Sequence, residues 1–210
     1  MTLQTWLAFL LAAWLICLSP GPGVLSSVTA GMRFGFRPGF WNIAGLQLGA
    51  LVVLAVVGVG MGALLATSVT AFTLIKWCGA LYLVFLGIQQ WRAPATPLTP
   101  ENAALPTRAT RGALVLRGFL VNVSNPKGIL FTAAVLPQFI DAHAPQWPQY
   151  LTVVATMLPV DVICMTGYMV LGVRALRLLR NREAIRWSNR GFGSLFIGAG
   201  VALAAFKRSA

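Results

Sequence analysis

The residues best suited to chemistry lie at two proline-containing interruptions of otherwise apolar stretches. Ser and Asn accept hydrogen bonds from the free amides at a helix N-terminus, and proline suits the first helical turn. Ser19 and Asn125, each followed by proline, are therefore predicted to start half-helices whose N-termini attract an anionic group such as a carboxylate. The alternative is a plain proline kink in a packed helix. The interruptions read Ser19-Pro20-Gly21-Pro22 and Asn125-Pro126-Lys127.

Two isolated charges, Lys127 and Asp161, lie deepest within the apolar stretches. A charge at the centre of a bilayer costs about 2.5–3.5 kcal/mol on insertion scales, so such residues usually serve a function. Lys127 can face a carboxylate beside the second interruption. Asp161 can bind an ammonium group, carry a proton, or do both. The alternative is that the two charges pair with each other and only fasten two parts of the chain together.

The remaining polar residues give weaker signals. Asn42, Gln47 and Tyr168 fall in or near apolar stretches, where they either line a cavity or hydrogen-bond neighbouring helices, and Gln47 joins the predicted binding set. The only histidine, His143, is predicted to be a solvated loop residue. The three cysteines are dispersed without a CxxC pair, so neither a metal site nor a cofactor is predicted. Without an HExxH, GxSxG or P-loop motif, the sequence favours neither an enzyme with catalytic residues nor an ATP-driven pump.

The composition is that of an integral membrane protein. The chain is 58% hydrophobic and 10% charged with a mean hydropathy of +0.78, whereas soluble domains carry about 25% charged residues. No charged side chain occurs in 2–32 or in 38–75, and both stretches exceed the roughly 18 residues that mark a spanning helix. The net charge of +12 comes from basic residues between the apolar stretches, which favours membrane lipid as a partner and not nucleic acid.

The apolar pattern predicts an all-α integral membrane protein with six transmembrane helices, of which the first and fourth are broken at the prolines. The proline-rich segment 92–112 is linker-like, so one transporter domain, 1–210, divides into repeat one (1–91) and repeat two (113–210). Because each repeat contains three spans, the second enters the membrane from the opposite side, and the repeats are predicted to be inverted. The predicted spans are 3–30, 39–66, 70–91, 113–140, 148–173 and 190–207.

Lys and Arg residues are distributed unequally between the two faces. The connections after the first, third and fifth predicted spans hold twelve of them, and the opposite face holds three. The positive-inside bias places the first set in the cytoplasm and both termini in the periplasm. Segment 174–187 is predicted to be an interfacial basic helix held by anionic lipid.

Glycines four residues apart, such as Gly45 and Gly49, permit close approach of two helices. These helices belong either to one chain, which is the favoured interpretation, or to the two chains of a homodimer.

Motifs across nearly the whole chain resemble the LysE/RhtB family of amino-acid exporters, most closely its homoserine and homoserine lactone efflux branch. Besides the two proline motifs, the resemblance is carried by five further groups of residues. They are Ile43-Ala44-Gly45-Leu46-Gln47, Lys76-Trp77 with Gly79-Ala80, Leu86-Gly87-Ile88-Gln89-Gln90-Trp91-Arg92, Pro137-Gln138-Phe139-Ile140 with Gly167-Tyr168, and Gly193-Ser194-Leu195-Phe196.

The resemblance implies an exporter of the bacterial inner membrane that moves small neutral amino acids outward, such as homoserine, homoserine lactone or threonine, driven by the proton motive force. The implied substrate-binding residues are segments 19–22 and 125–127 together with Asp161, which is also the implied proton-coupling residue. Many relatives carry an acidic residue where this chain has Ala50, so transport of a cationic amino acid is disfavoured. The open alternatives are a passive channel and an exporter of another small polar solute.

Overall fold

The computed structural model describes residues 1–65, 69–94, 110–141, 144–171 and 181–205. These residues form α-helices and one short 3-10 helix, which confirms the all-α prediction for this part of the chain. His143, segment 174–180 and most of the linker 92–112 lie outside the described residues. The helices are α1 (Leu3–Leu18), α2 (Pro22–Phe34), α3 (Phe36–Leu65), α4 (Val69–Arg92), α5 (Arg111–Val123), α6 (Pro126–Val135), the 3-10 helix Leu136–Gln138, α7 (Gln146–Val170) and α8 (Arg182–Ala205).

Both predicted interruptions are present. The chain bends by 57° between α1 and α2 at the first proline motif and by 53° between α5 and the helical stretch Pro126–Gln138 at the second. In lipid, a helix is interrupted only where the protein or water can satisfy the freed backbone groups. The two bends are therefore the places where the chain needs polar partners from elsewhere in the fold.

The helix after the second interruption begins as predicted. Asn125 is the N-cap of α6, its side chain accepts a hydrogen bond from the Lys127 amide at 3.2 Å, and Pro126 occupies the first turn. A side-chain oxygen in this position satisfies one of the amides that a helix N-terminus leaves free.

The predicted role of Ser19 as the N-cap of α2 is wrong. Ser19 instead ends α1, where its amide donates to the Leu15 carbonyl, and Gly21 caps α2 with an extended backbone at φ −172° and ψ −175°. The reason is the second proline. A residue before proline is held out of the helical region, so the residues before Pro20 and Pro22 are both extended, and the helix begins only at Pro22.

Four segments of the described chain are long and apolar enough to cross a membrane, if each bent pair is counted as one span. Two of them are unbroken helical stretches of 25 residues, Phe36–Gly60 and Gln146–Val170. The other two are α1 with α2 and α5 with the helical stretch Pro126–Gln138. The remaining predicted spans correspond to α4 and α8, which do not pass the same test over the described residues. The six-span architecture therefore stays a prediction.

The outer surface agrees with a lipid environment. Large apolar side chains are exposed along several helices, including Leu3 on α1, Val59 on α3, Leu81 on α4 and Ile163 on α7. Soluble monomers rarely expose so much apolar surface, so this surface is that of a membrane protein.

Glycines set the two closest helix contacts, which pair α3 with α5 and α4 with α8. A Cβ atom on Gly45 of α3 would overlap the Val115 carbonyl of α5, and a Cβ atom on Gly118 of α5 would overlap the Asn42 carbonyl of α3. In the second pair, a Cβ on Gly87 would lie 2.6 Å from the Gly193 carbonyl oxygen. The prediction that Gly45 packs within the chain is confirmed.

We expect Gly45→Ala to destabilise the protein, because the added methyl group forces α3 away from the α5 backbone, and such overpacking costs about 1–3 kcal/mol. Gly60→Ala on the same helix is the matched control, since nothing lies within 4 Å of the Cβ it would add. Thermal unfolding in detergent measures the effect. Equal melting temperatures for the two variants would contradict the contact between α3 and α5.

Candidate functional site

A cavity of about 90 Å³ lies where the two interruptions meet. Its walls come from α1, α2, α3, α5, α6 and α7, so it is central to the bundle. One part of the wall is polar and contains groups freed by the two bends, whereas the rest is apolar. The lining residues are Ile16, Cys17, Ser19, Gly21, Gly23, Val24, Leu46, Ala50, Val53, Leu54, Asn122, Asn125, Lys127, Gly128, Thr132, Met157, Asp161 and Met165.

Lys127 joins the two interruptions. Its Nζ atom donates to the Ser19 hydroxyl at 2.6 Å, to the Ser19 carbonyl at 3.1 Å and to the Pro20 carbonyl at 3.1 Å. The same Nζ lies 5.8 Å from the centre of the Phe196 ring on α8, within the range of a cation–π interaction. An ammonium group has three donors, so the cation of the second interruption satisfies the carbonyl groups exposed by the first.

Asp161 is held by a hydrogen bond from another helix. The Gln47 amide of α3 donates to the Asp161 carboxylate at 2.5 Å. The Gln47 amide oxygen is buried and has no partner in the described structure. The Gln47–Asp161 bond thus connects α3 to α7, and Asp161 lines the cavity together with Cys17 of α1.

Lys127 and Asp161 line the same cavity but do not pair with each other. Within the described chain, the Lys127 ammonium bonds to the first interruption and the Asp161 carboxylate bonds to Gln47. The alternative in which the two charges only fasten two parts of the chain through a direct ion pair is therefore not what the structure shows. The cavity offers one positive and one negative group to a bound molecule.

The predicted binding residues all lie at or next to this cavity, but in different roles. Ser19, Gly21, Asn125, Lys127 and Asp161 line it. Pro20 contributes its carbonyl to Lys127, and Gln47 acts through Asp161. Pro22 and Pro126 begin α2 and α6 and are not among the lining residues.

Sequence reasoning missed several lining residues, of which Asn122 is the most informative. Asn122 donates to the Leu46 carbonyl of α3 at 2.7 Å and so ties the end of α5 to the cavity wall. It stands three residues before the Asn-Pro pair that starts α6, and this proximity to the interruption was the signal available in the sequence. Thr132 lies two turns into α6 and carried no comparable signal.

Asn42 and Tyr168 were predicted either to line a cavity or to bond neighbouring helices, and the second prediction is confirmed. Asn42 accepts a hydrogen bond from the Ser26 hydroxyl at 3.0 Å, which joins α3 to α2. The Tyr168 hydroxyl donates to the Leu18 carbonyl at 2.6 Å. Since Leu18 ends α1, Tyr168 satisfies another carbonyl freed by the first interruption.

Comparison with known proteins adds independent information. Residues 14–206 match the model of the family described as LysE type translocator. The chain is 41% identical to a homoserine/homoserine lactone efflux protein of Salmonella typhi, over the whole of both chains. It is 42% identical to a membrane protein of Vibrio cholerae over 99% of this chain and all of that one. It is 28% identical to a leucine efflux protein of Salmonella choleraesuis, over 98% of this chain and 96% of that one. No solved structure matches this chain.

We expect Lys127→Met to lower the melting temperature in detergent. The substitution leaves the Ser19 hydroxyl and the Ser19 and Pro20 carbonyls without their donor, and an unsatisfied buried polar group costs about 1–3 kcal/mol. Ser124→Ala is the control at the same interruption, because Ser124 is exposed and its hydroxyl bonds only to the Leu120 carbonyl one turn earlier. An unchanged melting temperature for the Lys127 variant would contradict its role as the link between the interruptions.

Proposed function

We propose that this chain, which belongs to the LysE-type translocator family, exports homoserine, homoserine lactone, threonine or a similar small neutral amino acid across the inner membrane of a bacterium. The family match and the efflux relatives support amino-acid efflux. The observation that carries the proposal for the substrate is the cavity, in which Lys127 and Asp161 present opposite charges that do not neutralise each other by direct pairing.

The two charges suit the two ends of an amino acid. The carboxylate of the substrate would bind beside Lys127 and the N-terminus of α6, where free amides and the ammonium group both favour an anion. The substrate ammonium would bind to Asp161. The apolar part of the wall, with Ala50, Val53 and Met157, would then accept a short uncharged side chain, since it offers no partner for a second charge.

The proposed architecture is six spans in two inverted repeats. The similar bends of 57° and 53°, one in the first span of each half, support it. The polar contacts support it as well. Lys127 links the first spans of the two halves, and Gln47 with Asp161 links the second spans, α3 and α7. In transporters built from inverted repeats, the substrate site lies at the repeat interface near discontinuous helices.

Asp161 is also the proposed proton-coupling residue. It is the acidic group among the cavity-lining residues, and its bond from Gln47 leaves room for a change in protonation to alter what the carboxylate binds. Proton uptake from the periplasm would release the substrate ammonium and reset the site. The family and the names of the relatives indicate a transporter and not an enzyme.

We expect Asp161→Asn to abolish the tolerance to added homoserine that expression of the wild-type protein confers on cells. Asparagine has nearly the same shape, but it neither carries a negative charge for the substrate ammonium nor takes up a proton. Thr152→Ala, on the same helix, is the control, because the Thr152 hydroxyl bonds to the Pro148 carbonyl and lies outside the cavity. Undiminished tolerance in the Asp161 variant would remove this residue from the mechanism.

An uncoupler experiment in the same cells distinguishes proton-coupled export from flux through a passive channel. Efflux of labelled homoserine from loaded cells is measured with and without an uncoupler, and a panel of amino acids establishes the substrate. Coupled export against a gradient stops when the proton gradient collapses. Efflux that continues unchanged would favour the channel.

We expect both termini to lie in the periplasm, because six spans return the chain to its starting side and the positive-inside bias places the arginine-rich connections in the cytoplasm. Thr2→Cys, in a variant whose three native cysteines are replaced by serine, should react with a membrane-impermeant maleimide in intact cells. Arg37→Cys is the control for the opposite face and should react only after the cells are opened. Labelling of both positions in intact cells would refute the proposed topology.

A further inference from the structure

The side-chain amides of Asn122 and Asn125 meet at one edge of the cavity. Both residues line the cavity, as does Gly128 in the first turn of α6. A Cβ atom placed on Gly128 would lie 3.7 Å from the Asn125 side-chain nitrogen and 3.9 Å from the Asn122 side-chain oxygen. The two amides therefore border one small space, which is open because residue 128 has no side chain.

The atoms that face this space are determined by the other bonds of the two amides. The Asn122 nitrogen donates to the Leu46 carbonyl at 2.7 Å, which leaves the oxygen of this amide available. The Asn125 oxygen accepts from the Lys127 backbone amide at 3.2 Å, which leaves the nitrogen available. Neither available atom has a hydrogen-bond partner among the residues that the structure describes. The space thus presents one acceptor and one donor to a bound molecule.

An acceptor beside a donor specifies the kind of group that fits. A carboxylate would be repelled by the Asn122 oxygen, and an ammonium group has nothing to accept the Asn125 N–H. A methyl group would leave both amide atoms without a partner, which is unfavourable for buried polar groups. The pair therefore selects a neutral group that both donates and accepts, of which a hydroxyl is the smallest.

This edge of the cavity adjoins the apolar wall on which the proposed binding mode places the substrate side chain. A Cβ atom on Gly49 of α3 would lie 2.7 Å from the Asn122 Cβ, so Asn122 packs directly against α3. The next residue of α3, Ala50, belongs to the apolar wall. A side chain that lies along Ala50 therefore reaches the two amides with its end, while the substrate carboxylate stays at the Lys127 ammonium.

We propose that Asn122 and Asn125 form a specificity subsite for a hydroxyl at the end of the substrate side chain, and that Gly128 leaves the room for it. The substrate class is then a small amino acid with a side-chain hydroxyl, such as homoserine, and not an apolar amino acid of the same length. The inference rests on the proposed function, since the cavity must first bind an amino acid.

The test uses the purified full-length protein in vesicles and compares homoserine with norvaline, in which a methyl group replaces the hydroxyl. We expect the wild-type protein to transport homoserine with a kcat/KM at least about tenfold higher, because norvaline leaves both amide atoms unpaired. Asn125→Ser keeps a side-chain oxygen at the N-cap of α6, so the helix still begins there, but removes the amide nitrogen. The homoserine-to-norvaline ratio of kcat/KM should fall about tenfold in this variant.

Gly128→Ala tests the same space without removing a hydrogen bond. The added methyl group meets both amides at ordinary contact distances, so the protein should fold, and its melting temperature in detergent verifies this. The methyl group occupies the proposed position of the hydroxyl. We expect the kcat/KM for homoserine to fall about tenfold relative to that for alanine, whose side chain is too short to reach this space.

Gly21→Ala is the matched control at the other interruption. Its added Cβ would lie 3.7 Å from the Lys127 Cδ, beside the proposed position of the substrate carboxylate. Every amino acid carries that carboxylate, so any effect applies to homoserine and alanine alike. The homoserine-to-alanine ratio should therefore equal that of the wild-type protein.

Three outcomes would overturn the subsite. The first is an unchanged homoserine-to-norvaline ratio in Asn125→Ser together with an unchanged homoserine-to-alanine ratio in Gly128→Ala. The second is equal kcat/KM for homoserine and norvaline in the wild-type protein, in which case the protein still transports amino acids and the proposed function stands. The third is a wild-type protein that transports none of the three amino acids, which overturns the proposed function and the subsite with it.

Discussion

The fold depends on satisfying the carbonyl groups that two helix interruptions expose inside a membrane. Lipid supplies no donors, so every freed carbonyl must be bonded within the protein. The Lys127 ammonium supplies three donors to the Ser19 and Pro20 groups, and the Tyr168 hydroxyl supplies one to Leu18. Both donors come from the second half of the chain, so the first interruption depends on that half, whereas local bonds satisfy the second. The cavity lies where the two interruptions meet.

This dependence ties ligand binding to the contact between the halves. All three donors of Lys127 are engaged in the structure, so a carboxylate that binds to Lys127 has to replace at least one acceptor of the first interruption. The Ser19 hydroxyl is the simplest group to replace, since it can rotate toward another partner whereas the carbonyls cannot. A substrate anion would thereby loosen the link between α1–α2 and α6. Binding of a ligand at the site would then shift the relative position of the halves, and a change in that position would alter the affinity for the ligand.

Local sequence rules predicted the parts of this site that depend on local geometry. Proline spacing located both interruptions, and the Asn-Pro pair identified the start of α6. The same rule applied to Ser19 failed because a second proline two residues later delays the start of α2. The partners of Lys127 lie more than a hundred residues away in sequence, and Gln47, the partner of Asp161, lies 114 residues before it on α3. No periodicity encodes such pairings; only the packing of the helices brings them together.

The contacts between helices also indicate which interface can move. Backbone atoms meet directly where Gly45 and Gly118 bring α3 and α5 together, and such a contact cannot shift without losing its packing. The α2–α7 interface contains more side-chain contacts. There Met165 approaches Gly23, and both the side chain and the carbonyl of Met169 approach Gly31, and methionine is the apolar side chain that adapts best to a changed neighbour. In the proposed export cycle, the α2–α7 interface would therefore adapt more readily than the α3–α5 interface, whose backbone contacts would keep those two helices together.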